Sequence, residues 1–119
     1  MRLIKFRAWD RQNKAWIYWD HLEGSKSWFW DMVDKYDCEL MQFTGLLDKN
    51  GKEIWEFDLF KNESERICKV VWFQPIGGWD AYPINHVGNP VGFDPADWKE
   101  FTEVIGNIYE NPELLKDGR

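Results

Sequence analysis

Four residues, Asp48-Lys49-Asn50-Gly51, stand between two apolar runs, LMQF from residue 40 and EIWEFDLF from residue 53. Asp favours the first position of a tight turn, Asn tolerates left-handed backbone, and Gly takes positive φ freely. The chain therefore reverses here, and its flanks are short enough to be strands and too short for ordinary helices. Glu53, Trp55 and Phe57 alternate with Ile54 and Glu56, and Thr44-Gly45 is read as a bend.

The same punctuation recurs along the chain. LIKFRAW sets Ile4, Phe6 and Ala8 against Lys5 and Arg7, a period of two. DRQNK then supplies turn residues, and KAWIYWD a second aromatic run, so residues 3–20 are expected to form a hairpin. ICKVVWFQ is a further strand, and the Gly- and Pro-rich stretch after it holds one more at residues 79–84. Ile76-Gly77-Gly78-Trp79 is read as a hairpin tip. FTEVIGNIY, residues 101–109, is the last strand.

Helical signals are few. Asp94-Pro95-Ala96-Asp97 has a capping residue followed by Pro at the first helical position, and Asn111-Pro112 repeats that logic before Glu113, Leu114 and Leu115. Both predict short helices, the second fastened by its two leucines and closed by Gly118. WFWDMVDKYDCE fits two descriptions. A helix would gather Phe29, Met32, Val33 and Tyr36 on one face. A strand would set Trp28 and Trp30 against Phe29, and the aromatic start favours strand for the first half. The expected fold is mainly β: a small twisted barrel or half-barrel of short antiparallel strands with one or two short helices, forming a single domain over residues 1–119.

Charge and aromatic content narrow the function. The 119 residues carry a net charge of −6, against a phosphate-tracking nucleic-acid binder. An acidic surface can instead occupy a basic groove on another protein. Nine Trp residues are many for a small interior. Several are expected to lie in an oligomer interface or a ligand contact.

Cys38 and Cys68 form no CxxC, and His21 and His86 stand far apart, so free thiols and no metal centre are expected. No signal-like or membrane-length apolar run is present, which points to the cytoplasm. Glu56 and Asp58 would share a strand face, and Asp10, Asp20, Glu53 and Asp80 add carboxylates. Such pairs arise by chance in so acidic a chain. GxGxxG and the Walker pattern are absent. The chain is expected to be no enzyme and to need no cofactor.

Three segments carry a resemblance. KFRAWD (residues 5–10), LMQFTGLLDKNGKEIWEFDLF (residues 40–60) and EVIGNIYENPELL (residues 103–115) resemble, in order, the opening, central and closing segments of the YopX family. The resemblance implies a β-rich fold, a bacteriophage or prophage origin, residence in the host bacterial cytoplasm, and self-association. It supplies no catalytic site. The family pattern carries Gly where this chain has Phe57. A Gly there permits a tight bend, whereas Phe does not easily take positive φ, so either the bend is milder here or Phe57 covers a neighbouring surface.

The expected function is that of a small acidic binding protein that modulates a host protein or defence system, by nucleic-acid mimicry among other routes. Two alternatives stand beside it. One is a nucleotide or small-molecule binder in which Trp79, Tyr82 and Trp98 stack on a base while Lys69 or Arg66 meets phosphate. The other is an oligomeric structural or accessory protein. The candidate contact residues are Trp55, Phe57, Trp79, Tyr82 and Trp98, with no catalytic or metal-binding residue among them. Expected partners are further copies of the chain and a host protein, with no membrane and no direct nucleic-acid contact.

Overall fold

Alternating apolar and polar residues become strands wherever one face can be buried, and eight strands form among the described residues. A computed structural model describes residues 5–19, 26–61, 66–84 and 98–117. The chain divides into two compact units, Met1–Phe43 and Thr44–Arg119. Among the described residues it is strand-rich, with two antiparallel sheets, one curved as a half-barrel, and three short helices.

In the first unit, β1 (Phe6–Asp10) and β2 (Ala15–Tyr18) make the expected hairpin, with Ala8 opposite Ile17 and Trp9 opposite Trp16. The Asp10 carboxylate holds the turn by accepting the backbone N–H groups of Gln12 and Asn13 and the Asn13 side-chain amide. β3 (Cys38–Leu47) pairs antiparallel with the other edge of β1, placing Leu40 opposite Ala8.

Residues Lys26–Lys35 form the helix α1, which replaces the strand expected for its first half. The reason is packing. Ala8 and Ile17 give the sheet an apolar face, and an element lying across it buries that face as a further edge strand would not. A strand would have split Met32 from Phe29 and Val33, whereas helical spacing brings all three together. Phe29 is fully buried with Ala8 and Ile17, and Met32 and Val33 pack against that cluster. Lys35 in the last turn complements the helix dipole.

In the second unit, the last part of β3 leads through the Asp48 turn to β4 (Glu53–Trp55). β3 does not stop at Thr44-Gly45. It runs on to Leu47 with Gly45 at φ +86°, a conformation open to glycine. A second sheet then forms in the order β7-β6-β5-β8 from β5 (Asp58–Lys61), β6 (Ile67–Phe73), β7 (Gly78–Pro83) and β8 (Val104–Asn107). β6 and β7 are joined by a 3-10 turn at Gln74–Ile76, which Gly77 closes in left-handed backbone, so this stretch is the expected hairpin tip.

The core of this unit gathers Ile54, Phe60, Cys68, Val70, Trp79, Ala81, Trp98 and Val104. β8 is shorter than expected. Phe101 belongs to α2 (Trp98–Phe101), whose end is held by the Thr102 hydroxyl donating to the Trp98 carbonyl. α3 (Glu113–Asp117) forms as expected, with Leu114 half-buried but Leu115 exposed. The turn expected at residues 94–97, and also Asp20, His21, His86 and Gly118, lie outside the described residues.

Candidate functional site

Each half-turn of α1 sends a side chain in a different direction, and the outward set has a distinct chemistry. Trp30 is 40% exposed although it belongs to a cluster of four rings. Its ring meets those of Phe6, Trp19 and Phe29 at centroid distances of 5.9, 5.7 and 5.3 Å. These crossings are tilted or edge-to-face, the arrangement aromatic quadrupoles favour. The indole is therefore held on one side and open on another. Asp31 and Asp34 are exposed beside it on the helix. Neither carboxylate makes an ion pair or hydrogen bond among the described residues.

On the sheet's other face the same unit stacks cations on rings. The Arg7 guanidinium lies 4.0 Å from the Trp16 ring centroid, and the Lys5 ammonium 4.9 Å from that of Phe43. Arg11 is paired with Asp37 and Glu39.

The five residues singled out in the sequence lie in the second unit, in two environments. Trp55, Trp79 and Trp98 are 5%, 6% and 1% exposed and serve packing. Trp98 meets Phe60 at a tilt, and Trp79 meets the exposed Trp72 edge-on. The Nε1–H groups of Trp79 and Trp98 have no acceptor among the described residues. Phe57 and Tyr82 are half-buried and flank one cation, with the Lys69 ammonium 6.0 Å from the Phe57 ring and 5.6 Å from the Tyr82 ring. Lys69 and Tyr82 are cross-strand partners, which is why they meet.

Phe57 resolves the departure from the family pattern. The bend is not milder: Phe57 takes φ +67°, the left-handed backbone a Gly would occupy without strain. Two hydrogen bonds hold it there, its N–H donating to the Val70 carbonyl and its own carbonyl accepting from Ile108. The ring leans on Tyr109 at 6.4 Å, so it also covers a neighbouring surface.

Three of the carboxylates suggested for acid–base work, Asp10, Asp58 and Asp80, have structural tasks. Asp58 accepts the Trp55 N–H, and Asp80 that of Ala81. No group of three or more His, Cys, Asp or Glu side chains suited to a metal ion occurs among the described residues. Cys68 is buried, and its Sγ lies 3.8 Å from the Arg66 carbonyl. The Cys38 thiol is pushed up by burial and by the nearby Asp10 and Asp37 charges, against the opposing effect of Arg11. Both cysteines are free thiols.

Trp30 is absent from the five because its exposure depends on helix geometry, and its run of aromatics favours a strand. The spacing of Trp30, Asp31 and Asp34 is the signal that could have found it, once the segment is taken as helical.

The fold has a solved counterpart. The crystal structure of protein EF1440 from Enterococcus faecalis aligns over 97% of this chain and 99% of its own, with a TM-score of 0.62 and 25% sequence identity. No curated protein matches the chain. No helix among the described residues is long and apolar enough to cross a membrane. The model of the YopX protein family matches residues 5–116, and the chain belongs to that family.

Proposed function

We propose that this chain is a phage- or prophage-encoded binding protein that docks on a protein of the host bacterium and alters its action. The supporting observation is Trp30, a large apolar side chain 40% exposed yet fixed by three neighbouring rings. Such a residue loses little freedom on binding, and rigid aromatic anchors carry much of the energy of protein interfaces. The net charge of −6 favours a basic partner and opposes direct contact with nucleic acid.

The test is affinity capture from host lysate at moderate salt with the wild type and with Trp30→Ala. A host protein retained by the first and lost from the second supports the reading. Recovery of the chain alone, or equal capture by both, counts against it.

A second reading has one favourable observation. Lys69, framed by Phe57 and Tyr82, offers a cation beside two ring faces, as a nucleotide would require. Tryptophan fluorescence titrated with a nucleotide panel tests it, and a flat response removes it. Self-association accompanies either reading, with exposed Trp72 as a candidate contact, and is measured by light scattering.

A further inference from the structure

We infer that the outward face of α1 recognises arginine, its occupant being an arginine-bearing basic segment of the partner protein. The inference rests on the protein-docking reading above and names the chemistry of that same face. A guanidinium is planar and cationic, stacks on Trp, and is bonded by carboxylates in its plane. The helix offers both features: Trp30, open on one side, and Asp31 and Asp34, neither of them paired among the described residues. Trp30 and Asp34 are four residues apart on one helix and are therefore neighbours on its surface.

The same unit already shows each half of this recognition within the chain. The Arg7 guanidinium lies over Trp16 at 4.0 Å, and Arg11 is held by the carboxylates of Asp37 and Glu39. On α1 both features are present, and no arginine among the described residues occupies them. The unpaired carboxylates of Asp31 and Asp34 favour a basic occupant, and a second copy docking by the same face would bring the same two carboxylates against them.

The probe is an acetylated peptide of alternating Gly and Arg, compared with its Gly-Lys counterpart. Binding is read from the indole N–H resonances, with Trp30 assigned through Trp30→Phe. The Arg peptide is expected to shift the Trp30 resonance and to bind several-fold more tightly than the Lys peptide. Asp31→Asn with Asp34→Asn should weaken it about tenfold, as should Trp30→Ala. The two Asp substitutions lie on the exposed surface, so they test the idea without disturbing packing. Equal binding of both peptides, or of wild type and the Asp31→Asn/Asp34→Asn variant, overturns the inference.

The two readings fail separately. A host protein lost on Trp30→Ala but retained by Asp31→Asn/Asp34→Asn keeps the docking reading and overturns the arginine one. Retention by both variants overturns docking through α1.

Discussion

The Asp48 carboxylate accepts the backbone N–H of Val104 at 2.9 Å, across 56 residues of sequence. Its other oxygen accepts the N–H groups of Asn50 and Lys52, so one side chain closes its own turn and fixes the start of β8. Asp48 is 2% exposed. Asp48→Ala leaves these donors without their acceptor and should cost about 2–4 kcal/mol. Asp48→Asn should also destabilise, because an amide presents one oxygen and a donor where two acceptors are needed. Urea unfolding at neutral pH measures both.

That linkage depends on pH with a defined sign. Burial alone would raise the Asp48 pKa, but the N–H groups of Val104, Lys52 and Asn50, helped by the Lys52 charge, outweigh it and hold the carboxyl below its usual range. A folded pKa below the unfolded value of about 3.9 stabilises the fold above that pH, and the contribution is lost as pH falls through the folded value. The stability gap between wild type and Asp48→Asn should therefore be largest near neutrality and narrow below about pH 4. A gap unchanged between neutral and strongly acidic solution would contradict the assignment.

Phe57 supplies a test that separates backbone from side chain. Phe57→Ala removes the contact with Tyr109 but keeps a Cβ at φ +67°. Phe57→Gly removes both the contact and the strain. The Gly variant should be more stable than the Ala variant by about 1 kcal/mol, the reverse of the usual order in regular structure. Paired thermal melts decide it, and Ala equal to or above Gly refutes it.

Gly106 is constrained by space. A Cβ built there would lie 2.3 Å from Asn111 Oδ1, the atom that accepts the Asn107 N–H. Gly106→Ala should displace that side chain and cost about 1–3 kcal/mol. In an Asn111→Gly background the same substitution should cost less, giving a coupling energy above about 0.5 kcal/mol in a double-mutant cycle. Strict additivity would show that the clash is relieved elsewhere.

Adjacent residues of α1 should behave differently. Phe29 is fully buried against Ala8 and Ile17, so Phe29→Ala should cost about 3–5 kcal/mol. Trp30 is 40% exposed, and Trp30→Ala should cost about 1–2 kcal/mol, leaving a folded protein for binding experiments. Chemical unfolding followed by far-ultraviolet circular dichroism compares them.

The elements legible in the sequence are those with local causes. The β1–β2 hairpin, the Asp48 turn and the tip at Gly77 follow from alternation and from residues suited to turns. α1 was legible only as one of two readings, because three consecutive aromatics suit a strand and tertiary structure alone shows the apolar sheet face that a helix covers. The bond from Asp48 to Val104 joins residues with no sequence relation. The candidate contacts show the same limit. Trp55, Trp79 and Trp98 resemble Trp30 in composition, and tertiary packing alone makes the first three buried and the fourth exposed. Phe57 was recognised as the position that breaks the family pattern, but its left-handed backbone is imposed by hydrogen bonds to Val70 and Ile108.

The crossing of Trp9 and Trp16, 4.8 Å apart and inclined by 60°, has an optical consequence. Two indole chromophores so close and oblique share their electronic transitions, and the coupling gives the first hairpin a paired circular dichroism band, overlapped by those of Trp19–Trp30 and Trp72–Trp79. That band vanishes when β1 and β2 separate. With Trp30→Phe and Trp72→Phe removing the other two crossings, the hairpin carries its own reporter, and its opening can be timed without attaching a label.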